Sequence, residues 1–172
     1  CHVKNVGAYW VITWPYLPAN QWANDSWGVA IAVKRSSIPR TALKSTWSPP
    51  ESLQGRAGCV RLRMNNGNDF FVGVGYLPTV SALDSIEQSH LIWQWFEQVL
   101  SIQPQRTLPI IGLDANARLG AQKLCTPDHF LQIGAFGGQR ENQAGRRMRD
   151  FLQRSGLTAL NTLSSTSAGN TW

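Results

Sequence analysis

Two apolar segments joined by a helical stretch constrain this chain more than any other feature in it. Leu108 to Leu113 is short, carries two isoleucines and contains Gly112, so it reads as a buried strand rather than a helix. Phe70 to Tyr76 is apolar on both faces and reads as an interior strand of a sheet. Between them, Asp84-Ser-Ile-Glu87 has the pattern of a helix start, with Asp84 as N-cap and Glu87 placed to bond back to it. The helix runs to about Leu100, with Ile92, Phe96 and Val99 as its apolar stripe and Trp93 and Leu100 beside it. His90 falls next to that stripe and reads as a packed or surface histidine. Strand, helix, strand is a crossover, which implies parallel pairing and a parallel or mixed sheet.

The second of these strands delivers Asp114 and Asn116 at its C-terminal end. Residues i and i+2 of an extended chain point the same way, so both side chains would face one pocket beyond the sheet. A carboxylate takes a proton or holds a cation, and a carboxamide donates to a phosphate or carbonyl oxygen. A plain polar turn after the strand would use the same residue types. Spacing alone leaves both readings open.

The remainder supplies the rest of an α/β domain. Residues 1–26 are aromatic and interrupted by Pro15 and Pro18, and are expected to be an extended segment covering the domain, with base stacking as the alternative. Trp27 to Val33 alternates bulky and small residues and reads as a strand. Residues 36–54 hold three prolines and read as a loop or an edge segment. Ala57 to Met64 is a strand with Val60 and Leu62 on one face and Arg61 and Arg63 on the other. Asn65-Asn-Gly-Asn68 is a turn that returns the chain antiparallel into Phe70–Tyr76. Residues 117–141 form a long glycine-rich loop containing His129, of a length that in compact domains usually serves function. Asn142 caps a second helix, Gln143 to Arg154, stopped by Gly156. Met148, Phe151 and Leu152 bury one face of it, while Arg146, Arg147, Arg149 and Arg154 make the other basic. Leu157 to Leu163 reads as a further strand. No repeat or linker divides the chain, so a single domain over residues 1–172 is expected.

Composition narrows the partners. The 172 residues are 42% hydrophobic, which is globular rather than disordered. No apolar run is long enough to span a bilayer. Three cysteines far apart, without metal spacing, read as reduced, buried thiols. The net charge of +6 comes from 16 Lys and Arg against 10 Asp and Glu. Arginine predominates, and its planar fork suits phosphate, so the charge leans modestly towards nucleic acid or another polyanion as partner.

Four pieces then fall in one order: Gly28-Val-Ala-Ile-Ala-Val33; Tyr76-Leu-Pro78; Gly112-Leu-Asp114-Ala-Asn116-Ala; and Asn142 to Phe151 leading to Asn161-Thr162 and Thr171-Trp172. Together they resemble the endonuclease/exonuclease/phosphatase superfamily over nearly the whole chain, most closely its retroelement-type and abasic-site endonucleases. The resemblance implies a four-layer α/β sandwich, two mixed β-sheets flanked by helices. It implies that Tyr76 contacts the scissile phosphate, that Asp114 orients or deprotonates the attacking water, and that Asn116 binds a phosphate oxygen. Arg56, Arg146 and Arg147 are the expected substrate-binding cations. Mg2+ (or Mn2+) is the implied cofactor, with no metal ligand assigned within the 172 residues. The partner is nucleic acid, DNA before RNA, with no membrane, and the unit is expected to be a monomeric domain of a larger protein. Two departures follow from the same likeness. The family's metal-binding glutamate would lie just before Cys1 and its closing Asp-His pair just after Trp172, so the 172 residues are expected to lack terminal strands and not to cut DNA alone. Leu113 stands where the family often has Gly. The rival readings are a phosphatase of the same superfamily acting on phospholipid or inositol phosphate, and a degenerate, non-catalytic nucleic-acid-binding module.

Overall fold

The computed structural model describes residues 1–15, 28–79, 83–120, 132–136 and 140–163, with the backbone alone at 83 and 84. The chain divides into two compact units, Cys1–Leu77 with Glu87–Asp114, and Pro78–Ile86 with Ala115–Trp172.

The first unit is built on two sheets. Strands β1 (His2–Val6), β2 (Tyr9–Pro15) and β3 (Gly28–Lys34) form a three-stranded antiparallel sheet in that order. Strands β4 (Leu43–Trp47), β5 (Ala57–Arg63), β6 (Asp69–Tyr76) and β7 (Thr107–Asp114) form the second sheet, antiparallel except for the parallel pair β6–β7. The α/β sandwich expected from the sequence is therefore present, with the mixed pairing confined to the second sheet. Trp10, Ile12 and Trp14 alternate inward along β2 and meet Ile31 and Val33 of β3 and Val60 and Leu62 of β5 in one buried cluster. Fully burying side chains of this size stabilises the fold by roughly 1.5–3 kcal/mol each. Gly58 makes that approach possible, because a Cβ there would collide with the ring of Trp14.

The opposite face of β6 carries helix α1 (Leu83–Ser101). A Cβ at Gly73 would lie 3.1 Å, and one at Gly75 3.2 Å, from the ring of Phe96. Ile92, Trp93, Phe96 and Val99 are buried as the apolar stripe required. His90 is exposed and its Nε2 lies 2.9 Å from the Gln94 amide, one helical turn on.

In the second unit, α2 (Gln143–Ser155) begins at Asn142, whose side chain accepts from the backbone N–H of Gly145 at 2.8 Å and of Arg118 at 3.0 Å. It ends at Gly156 in the left-handed region, φ 68°. Both caps are as the sequence implied. Phe151 and Leu152 are buried and Met148 is half-buried.

Several expectations change. Residues 1–15 are a hairpin, not an irregular cover; Pro15 hid this, although Pro is tolerated at a strand end. Tyr16, Pro18, Trp22, Trp27, Cys125, His129 and Thr171-Trp172 lie outside the described residues. Helix α1 starts at Leu83, one residue before the expected cap. Strand β7 is last in its sheet and its Leu108, Ile110 and Gly112 face is exposed, so it is not the buried strand its composition suggested. Leu157–Leu163 is no strand: Ala159 makes a single parallel bridge with Ile133, and Leu160–Thr162 is a 3-10 turn. The Thr162 hydroxyl donates to Ala159 O and accepts from Gly134 N, both at 2.6 Å, which holds that turn in place of a ladder.

At the start of β6, Asp69 is fully buried and accepts from Arg63 at 3.0 Å and from Arg106 at 3.3 Å, with Arg61 at 3.8 Å. The Arg63 hydrogen bond holds its carboxyl below the ordinary aspartate value of 3.8, against the opposing effect of burial. The positive charges of Arg63, Arg106 and Arg61 act in the same direction as that hydrogen bond. Because the folded state is the more acidic, this stabilisation is complete above that value and is lost as pH falls through the depressed one. Thermal melts should therefore show an acid limb below about pH 4, and Asp69→Asn should flatten it. An unchanged limb in Asp69→Asn would assign acid sensitivity to other carboxylates.

Candidate active site

Asp114 and Tyr76 sit opposite one another at the C-terminal ends of β7 and β6, paired in the parallel register. Two backbone bonds fix the end of the sheet: Leu77 N–H donates to Asp114 O, and Tyr76 N–H donates to Arg56 O, each at 2.8 Å. Because β5 runs antiparallel to β6, Arg56 enters just before β5 beside Tyr76. Its guanidinium carbon lies 5.2 Å from the centroid of the Tyr76 ring, within range of a cation–π contact. Tyr76 is 41% exposed, while Asp114 and Arg56 are half-buried. One phenol, one carboxylate and one guanidinium, three of the residues singled out from sequence, thus share one end of one sheet.

The same end of the first unit carries a cleft of about 310 Å3, lined among others by Trp14, Pro15, Ser48, Glu51, Gln54 and Gly55. Trp14 is 2% exposed and its Nε1–H is buried without a hydrogen-bond partner. Glu51 and Ser48 were not among the sequence candidates. They lie in the proline-rich segment after β4, where no period or spacing marks them.

Asn116 belongs to the second unit and has φ 46°, Asn being one of the residue types that tolerates the left-handed region. Extended geometry ends at Asp114, so the i, i+2 argument that aligned the two side chains does not carry across this turn. Arg146 and Arg147 lie on α2, within the second unit. Arg146 is exposed; Arg147 is half-buried, with Nη1 buried and unbonded. Their neighbour Arg149 is tied to Glu141 at 2.8 Å and to the Leu119 carbonyl at 3.3 Å, so it serves the local structure.

Among the described residues no three His, Cys, Asp or Glu side chains gather closely enough to hold a metal ion. Asp114 by itself does not fit magnesium, a small cation that demands octahedral oxygen ligation. Nor is any described helix long and apolar enough to cross a membrane. Cys1 and Cys59 are free thiols; Cys1 is exposed rather than buried as expected, whereas burial pushes the Cys59 thiol far above its ordinary value, so it behaves as a small apolar side chain. Compared with known proteins, the sequence matches no family model and no curated protein.

Proposed function

We propose that this chain belongs to a phosphodiesterase acting on nucleic acid, an endonuclease-like domain of the kind found in retroelements. The observation that supports it best is the gathering of Tyr76, Asp114 and Arg56 at the C-terminal end of β6 and β7. Open α/β sheets hold their ligands outside the carboxyl ends of their strands. In this reading Asp114 orients the attacking water and accepts its proton. Tyr76 and Arg56 donate to the non-bridging oxygens, and Arg56 offsets charge that grows as the phosphorus becomes pentavalent. The roles of Asn116 towards a phosphate oxygen and of Arg146 and Arg147 towards the nucleic-acid backbone rest on the sequence alone, since these residues belong to the second unit. Divalent-metal assistance is expected from the sequence resemblance; the described residues do not by themselves supply the ligands, and no step here is routed through a metal.

The basic balance of the chain favours nucleic acid over an inositol phosphate as substrate. The test is nicking of supercoiled plasmid with magnesium by a polypeptide carrying these residues with their flanking sequence, set beside hydrolysis of a phosphoinositide. Metal-dependent nicking supports the reading. Phosphoinositide hydrolysis without nicking would move the activity to the phosphatase branch. Binding of DNA with neither activity would leave a non-catalytic module.

A further inference from the structure

We propose that the end of the first unit's sandwich remote from Tyr76 and Asp114 is a second surface, one that binds the phosphate backbone of nucleic acid. Strand β6 runs from Asp69 to Tyr76 and β7 from Thr107 to Asp114. At about 3.3 Å per residue, the two ends lie roughly 23 Å apart, too far for one group to serve both. The two sheets agree on which end is which. The Trp14 ring covers Gly58 near the Tyr76 end, so Trp10 and its partner Val33, four residues back along β2, lie towards the other.

Four connections meet at that remote end: the β1–β2 turn, the β3–β4 connection, the β5–β6 hairpin and the approach to β7. The Arg35 backbone N–H donates to Ala8 O at 2.9 Å, and Trp10 Nε1 donates to Ile38 O at 2.9 Å, which fixes the β3–β4 connection against the β1–β2 turn. This connection and the strand ends it joins contribute Lys34, Arg35, Arg40 and Lys44, all exposed. Arg61, Arg63 and Arg106 come from the second sheet and converge on Asp69. Asp69 is the sole carboxylate in residues 6–9, 34–44, 61–69 and 102–107.

One carboxylate does not neutralise three guanidiniums. Arg63 and Arg106 keep 42% and 49% of their side chains exposed, and the buried Arg61 Nε–H has no hydrogen-bond partner. Asp69 thus gathers three guanidiniums at one point and leaves net positive charge there. Five of the seven cations are arginines, whose forks take two phosphate oxygens at once. That chemistry favours a polynucleotide backbone over an anionic membrane, where point charges would serve equally well.

This proposal goes beyond the cleavage reading and does not require it, so its test reads binding without divalent metal. Short labelled duplex DNA would be titrated across a range of salt concentrations by fluorescence anisotropy. The parent is compared with Arg35→Gln/Arg40→Gln/Lys44→Gln, and with Arg56→Gln at the candidate active site. Each cation that contacts phosphate contributes about 0.9 to the slope of log affinity against log salt. The triple variant is expected to bind more weakly, with a slope shallower by about 2–3. Should its melting temperature fall, Arg40→Gln/Lys44→Gln replaces it, with a shift of about 2. An unchanged slope in a folded variant overturns the proposal, as does loss of all DNA binding in Arg56→Gln alone. Parent protein that ignores DNA but binds phosphatidylserine vesicles through these same cations also overturns it.

Discussion

Asp114→Asn should leave the fold intact and lower phosphodiester cleavage by roughly 10²-fold or more, the usual contribution of a positioned acid–base group. The side chain keeps its shape and loses only its charge and its capacity to accept a proton. The backbone bond that closes this sheet end, from Leu77 N–H to the Asp114 main-chain carbonyl, is kept by the substitution. Both proteins would be prepared as the longer polypeptide used for plasmid nicking, and their melting temperatures compared before rates are measured. Equal melting with a collapsed rate assigns Asp114 to the chemistry. Near-normal nicking by a folded Asp114→Asn protein would remove it from the mechanism, and with it the proposed role of this sheet end.

The largest expected effect on stability is at the contact between the sheets. Trp14→Ala should destabilise the protein by about 3–5 kcal/mol, as truncation of a buried aromatic does. Gly58→Ala should cost about 1–3 kcal/mol, because the added methyl occupies space already held by the Trp14 ring. The two effects are coupled rather than additive. With the ring removed, Gly58→Ala should be neutral or slightly stabilising, since Ala restricts the unfolded strand more than Gly does. Denaturant melts of the four proteins close this cycle. Simple additivity would mean that the ring and the glycine do not share space.

Much of this was legible in the sequence, and the exceptions have physical causes. The crossover Phe70–Tyr76, helix, Leu108–Leu113 was readable because two periods and two compositions agreed over a long stretch. The α2 boundaries were readable because Asn142 and Gly156 carry chemistry that only helix ends require. The first hairpin was missed although Trp10, Ile12 and Trp14 alternate cleanly, because the prolines nearby outweighed them. β7 looked buried because its apolar content does not reveal that it ends a sheet. At the site, Tyr76 and Asp114 were readable as strand ends, yet their registration depends on parallel pairing across the whole crossover, which no local signal encodes. The cation–π partnership of Arg56 is likewise a product of antiparallel pairing. Asn116 follows the end of β7 and takes the left-handed region, which Asn enters without a local sequence signal, so the i, i+2 spacing is no guide to its direction.

The crossover also sets the order in which the first unit assembles. Hairpins β1–β2 and β5–β6 close over a few residues, whereas β6 waits for β7 until Leu77 through Arg106 have been synthesised. Closing so long an excursion is entropically dearer than closing a turn, so the parallel pair forms after its neighbours. Tyr76 and Asp114 are brought into register by that last pairing. A nascent chain therefore acquires its sandwich core before its candidate reaction centre, and an incomplete chain has the first without the second.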